Sequence, residues 1–207
     1  MKDLKQFEEF IRTCIIKKQS PDKSRSKFLV MEAEQGYTYL LKLIKTMGIE
    51  NRNANDYVKN CYDILMELTR AKMLLEGLNA SGFKAHESEI AYWWILQFKE
   101  QDIRFLDKIR FFRNGMLYYG TILDKEYAEK VIEFTKNNYQ KLKAILNKWN
   151  SKMNGITTTN DHMMEKTNSN AWFITVGCDE RIKKEAVNKA HLILRKIAKT
   201  EAKLTLT

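Results

Sequence analysis

Apolar residues recur at three- and four-residue steps through five stretches of the first 150 residues, and a single proline, Pro21, punctuates the whole chain. This pattern narrows the fold most, because such spacing lines one wall of a helix while a half-buried strand needs strict alternation. Leu4, Phe7, Phe10, Ile11, Cys14 and Ile15 mark the first stretch. Ser20-Pro21-Asp22 then restarts the chain, with Ser as the expected cap and Pro in the first turn. The second stretch carries Phe28, Met31, Tyr37, Leu40, Leu41, Ile44 and Met47 up to Gly48, a natural stop. The third runs from Tyr57 to Leu75 and closes in Asn79-Ala80-Ser81-Gly82. The fourth starts near Glu87 and reaches Phe112, with a break near Lys99, and Asp124 caps the fifth, from Tyr127 to Trp149. Long helices on short loops predict an all-α, antiparallel up-and-down bundle over residues 1–150.

The texture changes at Ser151. Residues 151–170, rich in Asn, Thr, Ser and Met, read as a linker, and 171–178 (AWFITVGC) form a short apolar run. Asp179 then opens a basic helix whose single apolar face is too small to fold alone, so the tail 151–207 is expected to dock on a bundle. Lys184, Lys189, Arg195 and Lys196 would stay outward and add to any RNA groove. The net charge of +10 permits nucleic-acid or acidic partners, and equally suits well-solvated lysine-rich helices. No run of about 18 uncharged apolar residues exists, so no membrane span is expected. The N-terminus lacks a signal-peptide core. Cys14, Cys61 and Cys178 are odd in number and form no Cys-x-x-Cys pair, which reads as three buried, reduced thiols of a cytoplasmic protein.

Between the last two bundle stretches lies Phe111-Phe112-Arg113-Asn114-Gly115-Met116-Leu117-Tyr118-Tyr119-Gly120. Arg-Asn, three spacers and a ring-bearing polar residue resemble the motif of the HEPN family, Arg-Asn-x-x-x-His, with Tyr118 in the place of His. The resemblance covers roughly residues 1–150 and includes the order of elements: the loop Gly82-Phe83-Lys84-Ala85-His86, a long helix, the motif, then Asp124 opening a final helix. It implies a HEPN-like helical bundle that works as a homodimer, often as a metal-independent RNase with Arg and His from both protomers in a shared cleft. It also implies a toxin–antitoxin or defence setting, with a nucleotidyltransferase as a possible separate chain; the Gly-Ser and paired-Asp signature of such enzymes is absent here.

The residue types fit that chemistry. Arg113 offers a planar fork of donors to a phosphate, and Asn114 a neutral donor and acceptor. Tyr118 is a poor base, because a phenol with a pKa of about 10 is roughly 0.1% ionised at pH 7, yet it can donate to phosphate or stack on a base, as can Tyr119. On an ideal helix Arg113 and Tyr118 diverge by about 140°. His86 would supply an imidazole if its loop folds toward the motif; otherwise it is a solvated or capping residue. Arg113 could instead pair with Asp107 or Glu126. His162 and His191 have no evident partners, and Glu87 with Glu89 offers only a weak magnesium alternative to serving a helix start. No zinc pattern and no cofactor motif occur. Three functions follow: a module binding RNA, a nucleotide or a partner enzyme without turnover; a metal-independent endoribonuclease; or a purely structural interaction bundle.

Overall fold

In the computed structural model, which describes residues 6–157, helices dominate and a single two-stranded sheet is the only other regular element among the described residues. The centre is α3 (Ala54–Leu75), whose side chains from Val58 through Leu65 to Leu75 are buried on nearly every side. That near-continuous apolar run suits a helix wrapped by neighbours. It is packed by α2 (Lys23–Met47), α4 (Ala85–Ile95), α5 (Glu100–Tyr119) and α6 (Lys125–Thr157).

Directions follow from the contacts. Ser26 of α2 donates to the Ala71 carbonyl (2.9 Å), while Gly36 lies against Ile64, so α2 and α3 are antiparallel. Lys125 N–H donates to Asn51 Oδ1 (2.8 Å) at the start of α3, and Lys72 lies over the Trp149 ring near its end, so α6 runs parallel to α3. Asn55 ties the loop after α5, accepting from Leu123 N–H and donating to the Thr121 carbonyl, both at 2.9 Å. Helix α5 thus runs antiparallel to α3, but α4 advances with α3, its His86 lying by Tyr62 and its Trp93 bonding Thr69, so the all-α class expected from the periodicity holds without strict up-and-down alternation. Gly48 stops α2 at φ 66°, and Asp124 caps α6 by accepting from Tyr127 N–H at 2.7 Å.

Five local readings need correction. The first helix, α1 (Phe7–Arg12), stops short of Cys14, which takes φ 58°, and the chain turns into β1 (Ile16–Lys18). This strand pairs antiparallel with β2 (Leu78–Ala80), in a segment expected only to end the third helix. The cap of α2 is Asp22, accepting from Arg25 N–H at 2.8 Å, not Ser20. Gln19 and Asp22 donate backbone N–H groups to the Gly77 and Leu74 carbonyls, which leaves Ser20 outside the helix. Cys61 is a buried free thiol, its pKa pushed up to about 12 by burial, whereas Cys14 is only half-buried, and Cys178 lies outside the described residues. Finally, α6 runs on past Ser151 to Thr157. The remaining tail, including the apolar run 171–178, His162, His191, Lys184, Lys189, Arg195 and Lys196, lies outside the described residues.

The break near Lys99 is real: Gln97 takes φ 61° and Phe98 turns in against Trp93, with ring centroids 4.2 Å apart. No helix among the described residues is long and apolar enough to cross a membrane.

Candidate functional site

The only polar stripe on α3 is the ladder Asn60, Asp63, Glu67 and Arg70, spaced at three- and four-residue steps on one face. It forms the floor of a surface groove. One wall is α2, with Glu32, Gln35, Gly36 and Tyr39 enclosing a cleft of about 400 Å³ together with Asn60, Asp63, Ile64 and Glu67. Gly36 makes that closeness possible, since a Cβ there would meet Ile64 Cγ1 at 3.2 Å. Beside that cleft, α4 and α5 bring His86, Glu89 and Arg113 into direct contact with the same polar stripe, with Arg110 next to them.

Tyr62 joins α4 and α5. Its ring is buried beneath the Arg113 guanidinium, 5.3 Å from the centroid, and its hydroxyl lies 3.5 Å from His86 Nδ1. Arg113 donates from Nη2 to Asp63 Oδ1 at 3.1 Å, so its acid is neither Asp107 nor Glu126. Asp107 is held instead by Arg110, at 2.8 Å, and Glu87 lies 3.7 Å from the same Arg110. Arg113 Nε is buried and has no hydrogen-bond partner. Asn114 is half-buried beside it.

Arg70 grips Glu89 with two parallel bonds, Nε to Oε1 at 2.8 Å and Nη2 to Oε2 at 3.0 Å. Burial would raise the Glu89 carboxyl, but the His86 ring 3.2 Å away and the Arg70 fork outweigh it and hold it below the ordinary range. Glu67 shows the opposite balance. Partial burial, with Asp63 and Glu32 close by, pushes it up to about 7, and Arg70 offsets this only in part. A carboxyl titrating near neutrality can accept or release a proton at working pH.

The motif itself divides. α5 is continuous through Gly115 and Tyr119, and Gly120 ends it at φ 65°. Gly115 makes room for the returning chain, since a Cβ there would sit 2.9 Å from Thr121 Oγ1. With the helix unbroken, Tyr118 points away from Arg113 and is 76% exposed, as is Tyr119 at 86%. The imidazole that shares the groove with Arg113 is thus His86, on another helix, rather than a residue at the Tyr118 position. Asp63, Glu67 and Arg70 are not marked by the sequence as binding groups, and Glu89 only as half of a weak magnesium alternative. A usable signal existed for the first three: polar residues at helical steps within an otherwise apolar helix.

Among the described residues no group of three or more His, Cys, Asp or Glu side chains is placed to hold a metal ion, and Glu87 and Glu89 are each turned to an arginine. No protein-family model, curated protein or solved structure matches this chain.

Proposed function

We propose that the chain is a HEPN-like helical module that binds RNA or a nucleotide through its phosphate at Arg113 and His86, beside the cleft between α2 and α3, without turning it over. The observation that carries this reading is the placement of Arg113 and His86 about a single tyrosine, Tyr62, with Arg113 Nε buried and unpaired. Asp63 competes for Arg113 but is half-exposed and makes one bond to it, and such pairs are worth under about 1 kcal/mol in water. A phosphate, with more charge and more acceptors, can displace it.

A second copy of the chain is the partner this reading expects. Phe111 and Tyr118, seven residues apart on one face of α5, with Tyr119 and Ile122, leave large apolar groups exposed at the motif end of the bundle. A nucleotidyltransferase-type chain and a toxin–antitoxin or defence setting remain part of the same proposal.

The test is fluorescence anisotropy of labelled single-stranded RNA, and of a labelled adenine nucleotide, in EDTA at low salt. Binding that falls with Arg113→Ala and His86→Ala, with RNA recovered intact, supports the module. Absence of binding to either probe sinks it.

The second reading is a metal-independent endoribonuclease, favoured by Glu67, whose carboxyl near pKa 7 sits in the adjoining cleft. It predicts cleavage in EDTA giving 2′,3′-cyclic phosphate ends, abolished by Glu67→Gln or Arg113→Ala.

A further inference from the structure

We propose that Arg70 is a positioning residue that holds neutral His86 as its Nε2–H tautomer, so that the ring offers the groove a hydrogen-bond donor. Three groups crowd a single ring nitrogen. Arg70 Nη2 lies 3.1 Å from His86 Nδ1, Glu89 Oε2 lies 3.2 Å from it, and the Tyr62 hydroxyl lies 3.5 Å away. These demands conflict. Arginine only donates, so its contact needs a lone pair on Nδ1, whereas the contact to Glu89 needs a proton there.

The hydrogen inventory decides between them. One Nη2 hydrogen of Arg70 is used on Glu89 Oε2, and the other is left for Nδ1. If Nδ1 carried a proton, that second Arg70 hydrogen and the Nδ1–H would face each other. A partly buried donor would then lose its acceptor, which costs more than an unfilled lone pair on a carboxylate that already accepts two bonds. With Nδ1 accepting, the Tyr62 hydroxyl is also free to turn its hydrogen toward it. Two donors therefore meet one acceptor, and the proton of neutral His86 falls on Nε2. The charged groups around the ring are Arg70 from α3 and Glu89 on its own helix, and Arg110 and Arg113 of α5 act on the adjoining Tyr62.

The consequence separates gripping from cutting. An Nε2–H can donate to a phosphate oxygen but has no lone pair to take a 2′-hydroxyl proton. This inference rests on the phosphate-binding reading for its use, but not for its test. Long-range proton–nitrogen correlation spectra of the labelled full-length protein at about pH 8.5, assigned with His86→Gln, report which nitrogen carries the proton. The expected result is a protonated Nε2 and a bare Nδ1 in the wild type. Arg70→Lys, which keeps a cation for Glu89 without the fork, should move the proton toward Nδ1. An Nδ1–H in the wild type overturns the proposal even if the variant does not fold, and an unchanged tautomer in a folded Arg70→Lys removes Arg70 as its cause. Titrating 5′-AMP and single-stranded RNA into the same sample keeps the two ideas apart. With the expected tautomer but no shift on either ligand, the inference stands and the binding function falls.

Discussion

Arg113 shows how one side chain serves both stability and binding. It caps the face of Tyr62, pairs with Asp63 and keeps one buried N–H in reserve. Charged hydrogen bonds contribute about 1.5–3 kcal/mol, so Arg113→Ala should weaken binding of single-stranded RNA roughly ten- to a hundredfold. Tyr118→Ala, at an exposed position outside the groove, should weaken RNA binding far less than Arg113→Ala; a tenfold loss in a variant whose mass by light scattering is unchanged would restore Tyr118 to the site. Glu67 gives a second residue-scale test through pH. Its folded value of about 7 lies above the ordinary value of 4.5, so the folded state binds the proton more tightly than the unfolded one. The stability from protonated Glu67 is fully present below about pH 4.5 and lost as pH rises through about 7. Glu67→Gln should therefore raise the melting temperature at pH 8 and change it little at pH 5, read by calorimetry at both. An equal shift at both pH values would show that Glu67 is not held protonated.

At the scale of elements, the ends of the helices are set by single residues. Asp124 accepts from Tyr127 N–H and starts the helix that covers α3, so Asp124→Ala should cost about 1 kcal/mol in denaturant unfolding. Gly77 is less replaceable. It sits at φ 69°, and a Cβ would fall 2.3 Å from the Gln19 carbonyl oxygen, where the chain enters α2. Gly77→Ala should thus destabilise more than Asp124→Ala, and the reverse order in urea melts would mean that the β1–β2 ribbon and its link to α2 yield easily. The ribbon seals a small second cluster of Phe7, Phe10, Ile16, Met73, Ala91 and Tyr92, held further by a Lys72–Glu76–Tyr92 chain of contacts. Within the main core, Trp93 is wholly buried and donates from Nε1 to Thr69 Oγ1 at 2.8 Å, which fixes α4 on α3 and with it the position of His86 and Glu89.

For the whole molecule, the open question of assembly becomes a measurement. The exposed Phe111, Tyr118, Tyr119 and Ile122 lie at the end of α5 that also carries Arg113, so a two-fold contact there would bring two grooves together. The expected outcome is a mass of two chains by light scattering at micromolar concentration, reduced to one chain by Phe111→Glu with the helical signal retained. A wild-type mass of one chain removes the dimer from the proposed function. The net charge of +10 adds a dependence on salt, since each phosphate neutralised on a single strand contributes a slope of about −0.7.

The sequence by itself determined the helices and their order. Spacing of Leu, Ile, Phe and Tyr marks the buried side of α3 and α6, but on α2 Phe28, Met31, Leu41 and Met47 of that pattern stay exposed; Gly48 and Asp124 mark ends through local backbone and capping physics that needs no partner. It also marked Arg113, Asn114 and Tyr118 as candidate site groups, with His86 as a substitute base if its loop folded toward them. Only the tertiary structure decided which of them meet. The β1–β2 pairing joins segments about sixty residues apart, each too short to carry a period of its own. The neighbour of Arg113 is Asp63, fifty positions away, because α3 and α5 run antiparallel and bring those turns level. His86 enters the groove, and Tyr118 leaves it, for one geometric reason. An unbroken α5 turns residues five apart to different faces, whereas a short helix packed on α3 sets its first turn beside Tyr62.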